Sequence, residues 1–201
     1  MFTRALALAA GLFMSTQASA TTLTTFLNVD NDFEVYLSTS DTVQGTSFGT
    51  DSDGNWGTGQ TNTTTLADGT DYFLHIRAID FDTLAMLIGT FTLSDTDFSF
   101  ANGGQTLASG DAALLGSTTG WGSYSPTTDL GANGSGPWGF RSGHDGAARY
   151  VWAGSNTAGG ERYFTAAISY DAAPVPLPAG GVLLGGALAT LAFARRKRAK
   201  R

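Results

Sequence analysis

Alternation of hydrophobic and polar residues with a period of two dominates the middle of the chain. Phe33, Val35 and Leu37 alternate with more polar neighbours, a second alternating run covers 72–79, and a third covers 162–169. Successive side chains of a β-strand point to opposite faces of its sheet, so this period predicts strands with one buried face. The pattern favours a β domain over a helical one.

Shorter apolar runs between turn-forming residues indicate further strands. They cover 22–29, 61–66, 85–93, 97–100, 112–115 and 148–153. The run 85–93 is apolar at odd and even positions alike, which is typical of a central strand with both faces covered. Glycine-rich turns such as 53–55 and 102–104 separate the runs. We therefore predict an all-β domain, an antiparallel β-sandwich of jelly-roll-like type with about eight to ten short strands.

Composition agrees with one such domain. The 27 glycines among 201 residues require frequent turns, and a hydrophobic content of 42% suffices for one core. Cysteine is absent, which excludes disulfides, thiolate metal ligands and cysteine nucleophiles. The stretch 115–147 is rich in Gly, Ser and Thr, and a stretch of that length predicts either a functional loop or disorder.

The first 20 residues have the layout of a secretory signal peptide. Arg4 is followed by an apolar run over 5–14 and by the small-residue ending Ala18-Ser19-Ala20. The apolar run is too short to span a bilayer. We predict a signal peptide over 1–20 with cleavage between Ala20 and Thr21, so that the extracellular domain covers 21–174.

The C-terminal segment combines an apolar stretch with a run of cations. Residues 179–194 carry no charge and precede a basic cluster. A helix of that length rises roughly 24 Å against a hydrocarbon core of roughly 30 Å, so we predict one marginal transmembrane helix. The basic cluster should stay cytoplasmic. Its members are Arg195, Arg196, Lys197, Arg198, Lys200 and Arg201.

Residues 175–201 resemble a PEP-CTERM protein-sorting domain. Val175-Pro176-Leu177-Pro178 looks like the VPLPA variant of the Pro-Glu-Pro signature, and the glycine-rich helix and the terminal arginine cluster complete the resemblance. The family implies recognition by an exosortase-type processing enzyme, cleavage near the motif and only transient anchoring in the inner membrane. It also implies delivery to the cell envelope or extracellular matrix, often in bacteria that make exopolysaccharide. A permanent single-span anchor is the alternative.

Charge is segregated between the domain and the two ends. The domain holds all 17 acidic residues but only four basic ones, so its formal charge is −13. Those four are Arg77, Arg141, Arg149 and Arg162. Because nucleic acid is bound through lysine and arginine contacts to phosphate, we expect no nucleic-acid partner.

A calcium site is the one metal site that the sequence suggests. Asp51, Asp53 and Asn55 place alternate oxygen side chains around a tight turn, as at the start of a calcium loop. The stretch is not an EF-hand, because Asn62 replaces the glutamate required at the twelfth position. Asp-x-Asp pairs recur at 30/32, 80/82 and 95/97. Solvated turn aspartates are the alternative.

Two tryptophans are candidates for stacking on a sugar ring. Trp121 and Trp138 lie in glycine-rich segments, where a flat ring can be exposed, although core packing is the competing role. Trp152, beside Tyr150 and Val151, is expected in the core.

No catalytic motif is present in the sequence. His75 lies in a predicted strand and His144 in the loop Arg-Ser-Gly-His-Asp-Gly, and neither has a recognisable partner. We therefore expect a noncatalytic exported surface protein that binds polysaccharide. The alternatives are a secreted hydrolase that uses carboxylates and a purely structural glycosylated surface protein.

Overall fold

The computed structural model describes residues 20–171 and Gly186, and residues 20–171 form two antiparallel β-sheets. The predicted signal peptide, the Pro-x-Pro motif and the basic cluster lie outside the described residues, apart from Ala20 and Thr21. In the part of the chain that the structure describes, no helix is long and apolar enough to cross a membrane. Cleavage, anchoring and sorting therefore stay predictions.

Thirteen strands occur between residues 20 and 171. They are β1 (Thr21–Asp30), β2 (Asp32–Ser38), β3 (Thr46–Asp51), β4 (Gln60–Leu66), β5 (Tyr72–Asp80), β6 (Met86–Leu93), β7 (Phe98–Phe100), β8 (Thr106–Ala108), β9 (Leu115–Ser117), β10 (Ser125–Pro126), β11 (Thr128–Ala132), β12 (Arg149–Trp152) and β13 (Gly160–Tyr170). Sheet A has the order β11-β12-β6-β1-β4, with β8 also beside β6. Sheet B has the order β10-β9-β13-β5-β2-β3, with β7 also beside β13.

The longer strands form paired ribbons that alternate between the sheets. Strands β2 and β3 pair in sheet B, and the strands that flank them in the chain, β1 and β4, pair in sheet A. In the same way β5 pairs with β13 in sheet B, and β6 pairs with β12 in sheet A. Each ribbon therefore continues from one sheet into the other.

The main core lies between the two sheets. Alternate residues of β2 and β5, such as Phe33, Val35, Leu74 and Ile76, are fully or almost fully buried there. Across the core, the Trp152 ring packs edge-on against Phe164 with ring centroids 5.8 Å apart. The predicted alternation and the core position of Trp152 are confirmed.

A second, smaller core covers the outer face of sheet A. Met86 and Ile88 of β6 and Tyr150 of β12 form a buried cluster with Trp138, which lies in the segment between β11 and β12. Strand β6 is therefore buried on both faces, as its apolar pattern predicts.

The all-β, two-sheet architecture is confirmed, while some strand positions are wrong. The predicted strand 112–115 is mostly a turn, and β9 begins only at Leu115. The pattern also misses β3, β8, β10 and β11. β3 reads Thr-Ser-Phe-Gly-Thr-Asp and lies at the edge of sheet B, where its largely exposed side chains show little alternation.

Candidate functional site

The outer face of sheet B carries a cluster of aromatic rings, called here the aromatic cluster. Its members are Tyr36, His75, Trp121, Tyr124 and Tyr163. Three come from the neighbouring strands β2, β5 and β13, where they alternate with core residues and so point away from the core. The other two come from the loop between β9 and β10. The aromatic cluster thus connects β2, β5 and β13 to part of the glycine-rich stretch 115–147.

Trp121 lies at the centre of the aromatic cluster. Its ring stacks on His75 with centroids 4.5 Å apart and planes 14° apart. Tyr163 and Tyr36 meet the same ring at steep angles, with centroid distances of 4.8 and 6.1 Å. Trp121 remains partly exposed to solvent. The three contacts fix the orientation of a ring that solvent still reaches.

His75 is the buried, uncharged ring on which Trp121 stacks. The side chain is fully buried, its Nδ1 lies 3.3 Å from the Gln44 carbonyl oxygen, and its Nε2 lies 3.4 Å from the Tyr124 hydroxyl. That hydroxyl donates to the Asp41 carbonyl oxygen at 2.8 Å. Burial lowers the pKa of His75, so the ring is neutral near pH 7. This neutral, buried ring supports Trp121 by packing.

A charged row adjoins the aromatic cluster on the same face. Arg77 donates from Nη1 to Glu34 Oε2 at 2.8 Å and from Nη2 to Glu161. Tyr36 donates to Glu34, and Tyr163 donates to Glu161 Oε2 at 2.6 Å. The strand register explains the row, since Arg77 lies opposite Glu34 on one side and Tyr163 on the other. The two tyrosines therefore link the charged row to the aromatic cluster.

Both glutamates of this row are stabilised in the ionised form. The Tyr36 hydroxyl and then Arg77 lower the pKa of Glu34, and the Arg77 guanidinium and then Tyr163 lower the pKa of Glu161. The side chains of Arg77, Glu34 and Glu161 are 31%, 34% and 40% exposed. The row therefore presents ionised acceptors and a fixed guanidinium to solvent.

Trp138 has the core-packing role, which corrects its assignment as a stacking residue. The side chain is 4% exposed, and its ring lies 5.3 Å from that of Tyr150. The indole N–H donates to Asp30 Oδ2 at 3.0 Å. A ring buried on the apolar outer face of sheet A leaves no free face for a sugar. Of the two predicted rings, Trp121 alone is partly exposed.

The predicted calcium residues lie at one end of the sandwich. Asp51 ends β3, and its carboxylate accepts the Asp53 backbone N–H at 3.4 Å. Asp53 accepts the N–H of Asn55 at 2.7 Å, and the Asn55 side chain accepts that of Gly57 at 3.1 Å. Each oxygen thus stabilises its own turn. Calcium binding at these residues stays a prediction.

Other aspartates gather at the same end, because β1, β2 and β5 begin or end there. Burial and then repulsion from Asp80 and Asp82 raise the pKa of Asp30, although its hydrogen bond from Trp138 opposes the shift. Burial raises the pKa of Asp51, and Asp53 and Asp32 add to it by repulsion. Over residues 20–171 and Gly186, no group of three or more His, Cys, Asp or Glu residues is placed to hold a metal ion.

The two histidines lie on opposite sheets. His144 Nε2 lies 2.9 Å from Asn28 Oδ1, and its ring centroid is 4.6 Å from that of Phe26. Burial lowers the pKa of His144 to about 4. Because Asn28 and Phe26 belong to β1, this histidine packs on sheet A, and the two imidazoles do not form one site.

The sequence patterns missed most members of this face. Tyr36, Arg77 and Tyr163 stand at the polar positions of three predicted strands. Their signal is that aromatic and charged residues recur on the non-core side of β2, β5 and β13. Recognising it requires knowing that these three strands are neighbours.

Comparison with known proteins adds no relative. No family model, no curated protein and no solved structure matches this chain.

Proposed function

We propose that this protein is a noncatalytic, exported envelope or extracellular-matrix protein that binds polysaccharide on the outer face of sheet B. The observation that carries the proposal is the partly exposed Trp121 ring, held on buried His75 and flanked by two tyrosines. Aromatic rings stack on the apolar faces of sugars. The adjacent charged row offers acceptors and donors for sugar hydroxyls.

Preorganisation supports this use of the face. The Trp121 ring has three aromatic neighbours and Arg77 has two carboxylate partners, so few side chains lose freedom when a ligand docks. A sheet face with rings beside charges suits an extended chain better than a small enclosed molecule. The proposed ligand is therefore a polysaccharide chain lying across β2, β5 and β13.

The ionisation of the two glutamates supports a noncatalytic role. A glycosidase pairs an ionised carboxylate with a protonated one whose pKa is raised. Hydrogen bonds lower the pKa of both Glu34 and Glu161 instead. The carboxyls with raised pKa, Asp30 and Asp51, belong to the acidic end of the sandwich rather than to this face.

The alternation of paired ribbons between the sheets supports a jelly-roll-like topology. In that topology a long two-stranded ribbon rolls up so that its successive segments fall in opposite sheets. The pairs β12·β6, β13·β5, β1·β4 and β2·β3 alternate in this way, with the chain entering at a different strand.

The proposed routing depends on the two chain ends. The leader 1–20 would direct export, and residues 175–201 would hold the protein in the inner membrane until an exosortase-type enzyme cuts near Val175-Pro176-Leu177-Pro178. Replacing Pro176 and Pro178 by alanine should leave export intact but retain full-length protein in the membrane. Equal membrane retention of the wild type and the variant at full length would identify the tail as a permanent anchor.

Polysaccharide binding is tested with a glycan array and affinity electrophoresis of the full chain in mild detergent. Trp121→Ala should weaken binding about tenfold, or about 1.4 kcal/mol. Phe81→Ala is the matched control, because Phe81 is 63% exposed but lies outside the aromatic cluster. Unchanged affinity of Trp121→Ala would contradict the proposal. Release of reducing sugar by the wild type, lost in Glu34→Gln or Glu161→Gln, would favour the hydrolase alternative.

A further inference from the structure

A polar pocket on the outer face of sheet A holds an arginine that lacks an acidic partner. The pocket has a volume of about 280 Å³ and lies between the turn that contains Gly57 and Thr58 and the segment that contains Phe140 and Arg141. Its floor is formed by Phe26 and Asn28 of β1. A volume near the lower end of the roughly 300–1,000 Å³ typical of ligand sites suits one sugar-sized group.

Arg141 provides the charge of this pocket. Its Nη1 donates to the Gly57 carbonyl oxygen at 3.1 Å, its Nη2 donates to the Trp138 carbonyl oxygen, and its guanidinium lies 4.6 Å from the centroid of the Trp56 ring. No carboxylate of residues 20–171 forms an ion pair with it, whereas Arg77 and Arg149 both have carboxylate partners. Among residues 20–171, Arg162 also lacks a carboxylate partner, but it does not line this pocket.

The guanidinium retains donors for a ligand. Arginine has five N–H groups; carbonyl oxygens take up two of those of Arg141, and the Arg141 side chain also interacts with the Tyr150 hydroxyl. The Nε atom is buried and has no partner in the protein, so a ligand would meet the remaining N–H groups of Nη1 and Nη2. A guanidinium N–H that the protein leaves without an acceptor forms a charge-assisted hydrogen bond to a carboxylate oxygen.

The walls of the pocket are already fixed in place. Asn28 donates to the Trp56 carbonyl oxygen at 2.9 Å and lies at 2.9 Å from His144, so it ties both loops to β1. The side chain of Asn133 accepts a hydrogen bond from the backbone N–H of Arg141 at 2.8 Å and donates one to the backbone carbonyl oxygen of Arg141 at 2.7 Å. Gly59 permits close packing, since a Cβ there would lie 2.3 Å from Phe26.

An exposed aromatic ring stands at the rim of the pocket. Phe140 is 72% exposed, although it directly precedes the anchored Arg141. Thr58 and Ser142 add hydroxyl groups to the lining. An aromatic face, hydroxyls and a guanidinium are the groups that together recognise the ring, the hydroxyls and the carboxylate of an acidic sugar.

We infer that this pocket binds a single carboxylate-bearing sugar residue, a uronate, with Arg141 as the charge partner and Phe140 against the sugar ring. A densely charged polyuronate should bind less well than a short oligomer, because the domain as a whole repels polyanions. The pocket on sheet A is separate from the aromatic cluster, which lies on sheet B.

The test uses the full chain in mild detergent at pH 7, with digalacturonate and its methyl ester as probes. Esterification removes the charge and keeps the sugar ring, and calorimetry and intrinsic tryptophan fluorescence report binding. The acid should bind at least about tenfold more tightly than the ester. Arg141→Gln and Phe140→Ala should each weaken binding of the acid about tenfold.

Arg162→Gln is the matched control, because Arg162 also donates to backbone carbonyls but lies outside the pocket. It should bind digalacturonate like the wild type, and so should Trp121→Ala, which separates this site from the one proposed on sheet B. Equal affinity for the acid and the ester would overturn the inference. So would unchanged affinity in Phe140→Ala, a variant that removes an exposed side chain and should fold normally.

Discussion

The two outer faces of the sandwich differ in how they hold a loop tryptophan, Trp121 on sheet B and Trp138 on sheet A. Both tryptophans come from glycine-rich segments, yet Trp121 is partly exposed on sheet B and Trp138 is buried on sheet A. The faces beneath them differ. Sheet A offers Met86 and Ile88, whereas sheet B offers charged residues and tyrosines. The sheet surface, more than the loop composition, decides whether a loop tryptophan becomes core or remains available to a ligand.

The largest expected effect is a difference in the loss of stability when each of the two tryptophans is replaced by alanine. Trp138→Ala should lower the free energy of unfolding by about 3–5 kcal/mol, because it removes the central ring of a closed core and leaves a cavity. Trp121→Ala should cost less than about 2 kcal/mol, because solvent already reaches that ring. Urea unfolding of both variants gives the comparison, and equal losses would show that both faces are cores of similar weight.

Acid should lower the stability of the fold through His144, which packs on sheet A. Its pKa is about 4 in the fold and 6.5 when unfolded, so between these values the unfolded chain binds a proton that the folded chain does not. Stability should therefore fall as the pH drops from 6.5 to 4, by at most about 3 kcal/mol, since one pKa unit corresponds to about 1.4 kcal/mol. The raised pKa values of Asp30 and Asp51 oppose this loss at the acidic end of the range.

His144→Gln isolates that contribution. The variant keeps a side-chain donor near Asn28 but has no group that titrates, so its stability should change less between pH 6.5 and pH 4 than that of the wild type. Thermal melts across this range provide the measurement. Parallel curves for the wild type and the variant would exclude His144 as the source of acid sensitivity.

Calcium should have a smaller effect, through the turn that leads into the sheet A face. Asp51, Asp53 and Asn55 precede Trp56, which packs against the second core and Arg141. At a tenfold excess over the dissociation constant, calcium would stabilise the fold by about 1.4 kcal/mol. Melting temperatures with calcium, magnesium and chelator test this, with Asp53→Ala as the variant. Identical melting in the three solutions would remove the site.

The smallest stability effect belongs to the charged row of sheet B. Arg77→Gln should change the free energy of unfolding by less than about 1 kcal/mol, since the ion pairs of Arg77 are about one-third exposed and screened by solvent. The same substitution should weaken polysaccharide binding. A large loss of stability with intact binding would reverse the roles assigned to the two faces.

The principal strands could be predicted from the sequence because their signal is local, and the routing prediction, which stays a prediction, depends on local signals too. An Ala-x-Ala ending, a Pro-x-Pro motif and a period of two each occupy a few consecutive residues. The pattern of 85–93 even indicated that both faces of β6 are covered, although it did not identify Trp138 as the covering residue. Short edge strands such as β3 were not predicted, because their largely exposed positions show no alternation of hydrophobic and polar residues.

The sequence by itself determined an acidic, cysteine-free, all-β domain and the positions of its principal strands, and it predicts export. Only the tertiary structure decided that Trp121 joins Tyr36, His75 and Tyr163, while Trp138 is buried beside Tyr150. It also decided that Arg141 has no carboxylate partner among residues 20–171. The physical reason is that hydrophobic periodicity fixes which way a side chain points, whereas pairing between distant strands fixes which side chains meet.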